Sequence, residues 1–391
     1  MAKGISPLIS TVIVIMMVVS AISMVLLIGR PTIDKATEAS VVNEALLNMK
    51  SIDSAIKEVA SEGVQSSRTV TFKVSDGSYR IVNDSGVLFE KELLQPVYSF
   101  NTITFDGNIK SAAGINPLGL VGFWKFDEGG GTAANDSSGH GHDGTFVGFP
   151  IWTIGKFGGA LNFSGGVYGT DYVSVPDSND WYLSGDYTID LWVKFDSLPQ
   201  CTGCYMTIWS QYINSDNWQG LWIENNAGIY DFEDAAYSGG TFLWNYWWAS
   251  SPSLNTETWY HIAIVRSGNT HYGFQNGISL VGDSGDPYAP PTEDTGSRAD
   301  YPTSLLIGSD IPGIDQNLNG SLDELHIYHR ALSTSEIRDA ITADPKHYYI
   351  AIDYDRIQIV GTDIFQKGNQ KLCIEKIGET GNKAVVEVRL C

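Results

Sequence analysis

Positive charge is scarce in this chain. Of its 391 residues, 24 are lysine or arginine and 45 are aspartate or glutamate, which gives a formal net charge of −21. Such an excess of negative charge repels nucleic acid, so we exclude nucleic acid as a partner. Divalent cations and neutral polymers are better partners for an acidic surface, although any soluble surface needs charge.

Cysteine is scarce as well, and its four positions are Cys201, Cys204, Cys373 and Cys391. A zinc site would need a second nearby pair, or histidines at ligand spacing, beside the lone C-x-x-C. The sequence offers neither, so disulfides are favoured over a metal. We therefore predict disulfides in a protein outside the cell, with their pairing left open.

Tryptophan is absent from both ends of the chain. All eleven tryptophans lie between Trp124 and Trp259. By contrast, residues 64–118 and 346–391 share a texture of short alternating strands. This change of composition predicts one domain inserted into another. The two flanks would form a single small β headpiece, and residues 119–345 would be the insert.

The N-terminal segment is the longest hydrophobic run. Residues 5–28 carry no ionisable side chain, and about 20 such residues suffice for a membrane-spanning helix. Lys3 before the run orients the N-terminus inward, so we expect the bulk of the chain outside. A helical pattern then continues with one apolar row, formed by Val42, Ala45, Met49, Ile52, Ile56 and Val59. This row fits either packing of the helix on its own domain or contact with neighbouring subunits.

The letters KGISPLI, at residues 3–9, resemble the class III signal of archaeal type IV pilin-like proteins. The resemblance implies a leader of residues 1–4 that is cut between Gly4 and Ile5. It also implies a helix over 5–63 that packs against other copies or other pilins in a filament, or that holds an unassembled subunit in the membrane. The flanking headpiece would then be of the pilin type.

The insert resembles a second family through the letters WKFDEGGGTAANDSSGHGHDGTFVG, GALNFSGG, DYTIDLWVKF and WYHIAIVR, in that order. They are similar to the laminin-G-like, concanavalin A-like jelly rolls, which implies a β-sandwich. The predicted fold class is therefore mainly β, with a long N-terminal hydrophobic helix, a small sheet and an inserted sandwich. Alternation independently places five side chains of one strand on a common face: Tyr187, Ile189, Leu191, Val193 and Phe195.

Local patterns predict three further details. Asp76-Gly77 and Asn276-Gly277 are typical of tight hairpins. Ser333 and Glu336 fit a capping box at the start of a short helix. Asp323 should lie on the same side of a strand as the apolar residues that follow it, where a carboxylate needs a partner.

The jelly-roll resemblance implies a structural calcium ion near the sandwich edge. The matching oxygen ligands are Asn162, Ser164 and Asp323. Ser164 stands where the family usually has aspartate, which would weaken the site. The alternative is that Asp323 accepts backbone hydrogen bonds in a turn.

An aromatic cluster is the candidate carbohydrate-binding site. Alternation cannot bury all of FLWNYWWASS on one face, so part of it should be exposed for contact with sugar rings or packed under a long loop. The alternative is that these tryptophans belong to the core of the sandwich. The predicted residues are Trp218, Trp244, Tyr246, Trp247 and Trp248. Extracellular N-x-S/T sites would be glycosylated at Asn83 and Asn135.

Glucanases of this fold usually carry their two carboxylates as Glu-x-Asp-x-Glu along one strand, and the insert lacks this pattern. The nearest run starts at Asp231 and includes Glu233, in what we predict to be a loop. His261 and His326 are predicted to be structural, and the chain not to be an enzyme. We expect a pilin-like surface protein that displays a lectin-like domain for adhesion to glycans. The alternatives are a filament subunit whose jelly roll is a coat without ligand, and a glycoside hydrolase.

Overall fold

The computed structural model describes residues 7–24, 27, 30–94, 102–165, 171–250, 253–280, 294–296, 299–310, 317–342, 346–354, 356–361 and 363–391. The predicted cleavage position, Gly4 and Ile5, lies outside them. The chain is mainly β and divides into two compact units. The first comprises Met1–Asn116 with Ala343–Cys391, and the second is Pro117–Thr342.

The first unit contains two helices and ten strands among its described residues. They are α1 (Pro7–Met24), α2 (Arg30–Ser61), β1 (Ser67–Val74), β2 (Ser78–Val82), β3 (Gly86–Glu92), β4 (Thr104–Asp106), β5 (Ile109–Ala113), β22 (His347–Asp353), β23 (Ile357–Val360), β24 (Ile364–Phe365), β25 (Gly368–Thr380) and β26 (Lys383–Leu390).

The sequence predicted a helical region over 5–63 that is apolar over residues 5–28 and amphipathic beyond them. Within this region the structure describes α1 with 18 residues and the longer, more polar α2 with 32. In the described part of the chain, no helix is both long and apolar enough to cross a membrane. The described side chains of α1, from Thr11 to Met24, are exposed.

Helix α2 packs on its own domain. All six members of its predicted apolar row are buried, from Val42 to Val59, in one core with side chains of both flanks. This core decides between the two interpretations that the helical pattern left open, because the row is already covered within the chain. The apolar row therefore stabilises the headpiece.

The headpiece has two sheets rather than the single one predicted. Their strand orders are β1-β25-β26-β23 and β24-β2-β3-β22-β5-β4, so each sheet combines both flanks. The predicted hairpin at Asp76-Gly77 is wrong in its pairing, because β1 pairs with β25 and β2 pairs with β3. The turn passes from one sheet to the other, and both sheets share the core under α2.

The second unit contains the remaining strands and one helix among its described residues. They are β6 (Leu120–Trp124), β7 (Ala133–Ala134), β8 (Gly144–Val147), β9 (Ile151–Ile154), β10 (Gly159–Ser164), β11 (Tyr172–Val175), β12 (Tyr187–Phe195), β13 (Tyr205–Asn214), β14 (Asn217–Asn226), β15 (Ile229–Ser238), β16 (Thr241–Ala249), β17 (Trp259–Ser267), β18 (Thr270–Gln275), β19 (Ile278–Ser279), β20 (Leu305–Ile307), β21 (Asn319–Tyr328) and α3 (Thr334–Thr342).

These strands form two eight-stranded sheets that enclose one core. The first sheet has the order β19-β18-β17-β12-β21-β10-β9, with β6 also paired to β21. The second has the order β16-β15-β14-β13-β20-β11-β8-β7. The five alternating side chains of β12 all enter this core, as the sequence predicted.

Two local predictions are confirmed in this unit. Ser333 accepts a hydrogen bond from the backbone of Glu336 at 3.3 Å, and the Glu336 carboxylate accepts one from the Ser333 backbone at 2.8 Å, so the capping box begins α3. Asn276 and Gly277 have φ angles of 52° and 72°, as a type I′ hairpin requires, and they join β18 to β19.

The predicted position of Asp323 is wrong. Leu322, Leu325 and Ile327 face the core, whereas Asp323 faces away from it. The alternation shifts at Glu324, whose φ is 50°, and the pairing of β21 with β12 slips at the same point. This β-bulge turns the carboxylate out of the apolar row.

Candidate functional site

Strands β13 to β16 carry a second, aromatic face. Leu221, Phe232 and Trp248 of these strands enter the core between the two sheets. Because neighbouring residues of a strand point to opposite sides, the residues directly before and after each of these three point away from that core. We call this side of the sheet the distal face.

The strand register arranges the side chains of the distal face in three rows. Two rows that carry aromatic residues flank a middle row of small or amide side chains. The middle row is Ser210, Gly220, Ala235 and Asn245. The flanking rows are Tyr212, Trp218, Tyr237 and Phe242 on one side, and Thr207, Trp222, Glu233 and Trp247 on the other.

The aromatic rings touch across the middle row. Trp218 stacks on Tyr237 with ring centroids 5.4 Å apart and meets Trp222 edge-on at 5.3 Å. The Trp222 ring leans over Gly220, where an added Cβ would lie only 2.9 Å from two of its carbons. Glycine at this position therefore gives the indole its place on the distal face.

Several buried polar groups of the distal face lack partners. Asn245 is fully buried, and among the residues that the structure describes neither its amide nitrogen nor its oxygen has a hydrogen-bond partner. The same holds for Nε1 of Trp222 and of Trp247, and for Oγ1 of Thr207. Because each such group costs about 1–3 kcal/mol, this concentration indicates a place where a polar ligand or water binds.

Carboxylates lie on the same face. Asp231 and Glu233 belong to strand β15, so the predicted loop at this position is wrong. Being two residues apart on a strand, they point to the same side. Glu224 of the neighbouring strand pairs directly with Asp231. Three acidic side chains therefore lie beside the aromatic rows.

The five predicted sugar-binding residues fall on two sides of the sheet. Trp218 and Trp247 are on the distal face. Trp244, Tyr246 and Trp248 point to the opposite side, where Trp244 and Trp248 are buried and Tyr246 stacks on His271 at 4.6 Å. The predicted exposure is wrong for Trp244, Trp247 and Trp248, which are all buried.

Sequence reasoning missed Trp222, Thr207 and Asn245. Trp222 alternates in step with Trp218 along β14, and this two-residue spacing was the available signal. The other two reach the site only through cross-strand register, which includes a bulge between Thr207 and Trp209.

The histidines on the sheets contact buried carboxylates. His261 Nε2 and His326 Nδ1 lie 3.2 and 3.0 Å from the same oxygen of Asp190. Burial alone would raise the pKa of Asp190, but His326 and His261 outweigh it and hold the pKa at about 2. These contacts agree with the structural role predicted for both histidines.

The three predicted calcium ligands do not form one site. Ser164 pairs with Asn319, four residues along β21 from Asp323, which separates the two by about 13 Å. The Asn162 amide donates to Asp196 and Ser321 at 2.8 and 3.1 Å, and the Ser164 hydroxyl donates to Asp171. Asp323 is the member of the set whose environment still fits an ion.

Asp323 accepts a hydrogen bond from the backbone of Phe157 at 2.9 Å, as the alternative interpretation expected. Its other oxygen is buried and has no hydrogen-bond partner in the described part of the chain. Burial raises the pKa of Asp323 to about 8, against the effect of the Phe157 hydrogen bond. The side chain is therefore poised to bind either a proton or a cation.

The cysteines and the predicted glycosylation sites lie apart from the distal face. The structure pairs Cys201 with Cys204 and Cys373 with Cys391, with Cα atoms 5.2 and 5.4 Å apart. Asn83 and Asn135 are both exposed, so an attached glycan would have room. Glycosylation at these residues stays a prediction.

A scan against family models finds a match over residues 165–338, to the concanavalin A-like lectin/glucanases superfamily, Laminin_G_3. It covers most of the second unit and less than half of the chain. The matched region is a concanavalin A-like jelly roll. No curated protein sequence matches the chain.

Several solved structures are similar to part of this chain at low identity. Domain 4 of AbnA, an arabinanase of Geobacillus stearothermophilus in complex with arabinotriose, is 22% identical, with a TM-score of 0.40, and the match covers 57% of this chain and 98% of that domain. A Trypanosoma rangeli sialidase is 18% identical, with a TM-score of 0.39, over 57% of this chain and 32% of the sialidase. The binding domain of Paraclostridial Mosquitocidal Protein 1 is 16% identical, with a TM-score of 0.42, over 57% and 52%.

One prediction needs correction on this basis. The sequence predicted that the chain is not an enzyme, but the family model that matches residues 165–338 describes glucanases as well as lectins. That finding overturns the exclusion. The matched superfamily contains sugar-binding and sugar-cleaving proteins alike.

Proposed function

We propose that the jelly roll binds a carbohydrate on its distal face. The observation that carries this proposal is the fully buried Asn245, whose amide has no partner among the described residues, beside the equally unpartnered indole nitrogens of Trp222 and Trp247. Sugar rings offer C–H faces to aromatic rings and hydroxyls to such polar groups. Ligand pockets in general combine apolar walls with a few placed donors and acceptors.

The arrangement also suggests how a sugar would be oriented. The small side chains of Gly220 and Ala235 let the Trp222 ring lean across the middle row to meet Trp218. Trp218, which is only half-buried, stands at one flank, and the deeper Trp222 and Trp247 stand at the other. A sugar unit would stack on the rings while its hydroxyls bind the Asn245 amide and the indole N–H groups.

The test is glycan binding by the full-length chain on an array of neutral and acidic oligosaccharides, followed by titration of each positive sugar. Trp222→Phe and Trp247→Phe keep an aromatic ring but remove the N–H donor. We expect each to weaken binding about tenfold, since a hydrogen bond to a ligand is worth on the order of 1 kcal/mol or more.

The matched control is Trp259→Phe, a half-buried tryptophan on the other sheet, beside Lys194. The Trp259→Phe variant should bind each sugar as tightly as the unaltered chain does. The proposal fails if the two distal-face variants bind as tightly as this control, or if no sugar binds at all.

A second candidate activity is hydrolysis of the bound glycan. It is favoured by the carboxylates of Asp231, Glu233 and Glu224, which share the distal face with the tryptophans. Glycosidases use such a pair, one carboxyl as acid and the other as base or nucleophile. Alternate residues of one strand lie about 7 Å apart, which suits two carboxyls on either side of a scissile bond.

Release of reducing sugar from each bound glycan tests this activity. Glu233→Gln and Asp231→Asn should abolish release but retain binding, because they remove ionisation with little change of shape. Release that persists in both variants, or its absence with every glycan that binds, would contradict the second candidate.

We also propose that the chain is a pilin-like protein of the cell surface, whose α1 helix packs against other copies or other pilins. The KGISPLI letters and the exposed apolar side chains of α1 support it. Immunoelectron microscopy of native cells tests it, and labelled surface filaments are expected. If filaments form but the jelly roll binds no glycan, its role is that of a coat or spacer.

A further inference from the structure

A loop of the jelly roll holds two histidines in fixed positions. His140 and His142 lie in the run from Ser138 to Asp143, and the glycines before each have φ angles of 90° and 79°, which only glycine adopts readily. Both imidazoles are partly buried. The alternating glycines let the chain fold tightly enough for both rings to point to one place.

A single aspartate clamps this loop. Asp136 accepts hydrogen bonds from the backbone of Phe123 at 3.0 Å, of Ser138 at 2.8 Å and of His142 at 3.0 Å. The backbone of Asp136 in turn donates to Asp143 at 2.8 Å. The loop is therefore held by its own hydrogen bonds, so the positions of the two imidazoles do not depend on a ligand.

A third side chain completes the cluster from a separate segment. Asp180 belongs to a short 3₁₀ turn, Asn179–Trp181, whose start is capped by Ser178. Its Oδ2 lies 3.2 Å from Nδ1 of His140 and 2.7 Å from Nε2 of His142. Trp181 packs against the His142 ring at 4.7 Å and fixes it from the other side.

The spacing of the three atoms fits a transition-metal ion. They all lie within 4.8 Å of one another. Ligands of tetrahedral zinc, at 2.0–2.2 Å from the metal, are about 3.3 Å apart, so small movements would admit an ion. Two imidazoles and a carboxylate are the ligands of zinc and its neighbours rather than of calcium or magnesium.

We propose that His140, His142 and Asp180 bind a divalent transition-metal ion such as zinc, through Nδ1, Nε2 and Oδ2. Three protein ligands leave a fourth position for water or for an external group. His329 lies at the edge of the site, with its Nε2 2.9 Å from the Asp180 carbonyl, and steadies the turn.

The test is calorimetric titration of the full-length chain with zinc chloride. The chain is purified with a tag free of histidine, stripped with EDTA, and titrated in excess magnesium to mask weak binding by its many carboxylates. We expect one ion per chain. Cobalt(II) in place of zinc should give the visible absorption of a four-coordinate ion, whereas six-coordinate cobalt on a surface absorbs weakly.

Asp180→Asn and His142→Asn should each weaken binding at least about tenfold, because each removes a ligand. Asp177→Asn is the matched control, since it makes the same change of charge at an exposed residue of the same segment. Thermal unfolding in EDTA checks that every variant is folded. Zinc binding that does not saturate in excess magnesium would overturn the proposal. So would an unchanged zinc affinity in Asp180→Asn, or equal losses of zinc affinity in Asp180→Asn and Asp177→Asn.

Discussion

The two faces of strands β13–β16 differ in how their buried polar groups are satisfied. On the core side, Asp234 accepts hydrogen bonds from Tyr187 at 3.0 Å and from His271 at 2.6 Å. On the distal face, Asn245 is just as buried and has no partner among the described residues. Neighbouring residues of the same strands thus serve stability on one side and offer free donors and acceptors on the other.

The largest expected effect separates the two faces through neighbouring tryptophans. Trp248→Ala should cost about 3–5 kcal/mol of the free energy of unfolding, because its indole fills the core between the sheets. Trp247→Ala should cost less, because its ring, although equally buried, lies outside the core between the sheets and its N–H has no partner among the described residues. Urea unfolding of the full-length chain, followed by fluorescence, measures both.

Glycan binding gives the reverse order for these two variants. Trp247→Ala should lose binding at temperatures where it is still folded, whereas Trp248→Ala should lose binding only as it unfolds. Equal losses of stability in the two variants would mean that Trp247 is a core residue, and the contrast between the faces would fail.

The contrast shows what sequence could and could not predict. Alternation placed Tyr187 and Leu191 in the core, because a strand has only two sides. It could not say which side of β16 faces the partner sheet, since tryptophans occupy both. The bulges at Thr207 and Glu324 also shift the alternation by one residue, and nothing in the local residue types marks them.

Sites assembled across distant segments were harder still. His140 and His142 are visible as a His-Gly-His run, but Asp180 lies 38 residues from His142 and reaches it only through the fold. Asn162, Ser164 and Asp323 were grouped by resemblance to a family. The register of β10 with β21 then set Ser164 and Asp323 apart.

The first sheet repeats the contrast with two aspartates. Asp190 contacts two imidazoles and has a pKa of about 2, whereas Asp323 is bound only by backbone N–H groups and has a pKa of about 8. A pKa raised in the folded state means that folding takes up a proton. The contribution of Asp323 to the free energy of unfolding is therefore greatest below about pH 4 and is lost as pH rises to 8. The loss can reach about 1.4 kcal/mol per pH unit.

The measurement is the difference in unfolding free energy between the unaltered chain and Asp323→Asn at pH 5 and pH 8. We expect the unfolding free energy of Asp323→Asn to increase relative to that of the unaltered chain as pH rises. The reason is that an amide keeps the Phe157 hydrogen bond and does not ionise. Asp190→Asn should show no such gain, and its loss of unfolding free energy should be as large at pH 8 as at pH 5. A pH-independent difference for Asp323→Asn would contradict the raised pKa.

Calcium would reverse the effect of pH on Asp323. An ion bound by the ionised carboxylate should raise the melting temperature of EDTA-treated chain at pH 8 more than at pH 6, because protons compete with it. At a calcium concentration one hundred times the dissociation constant, binding would add about 2.7 kcal/mol to the free energy of unfolding. Calcium at Asp323 stays a prediction, and it fails if the rise is absent or persists in Asp323→Asn.

The smallest expected effect is also the most direct comparison of a satisfied with an unsatisfied amide. Asn225 and Asn245 are both buried, but the Asn225 amide donates to Pro199 at 2.8 Å and accepts from Gly228 at 2.8 Å. Asn225→Leu should therefore destabilise the jelly roll by about 1–3 kcal/mol, whereas Asn245→Leu should stabilise it by about 1 kcal/mol, because no hydrogen bond is lost. Chemical unfolding of both variants measures the difference, and glycan titration should show binding weakened only in Asn245→Leu. If Asn245→Leu is as destabilising as Asn225→Leu, water already satisfies the amide, and the distal face owes its polar groups to structure rather than to a ligand.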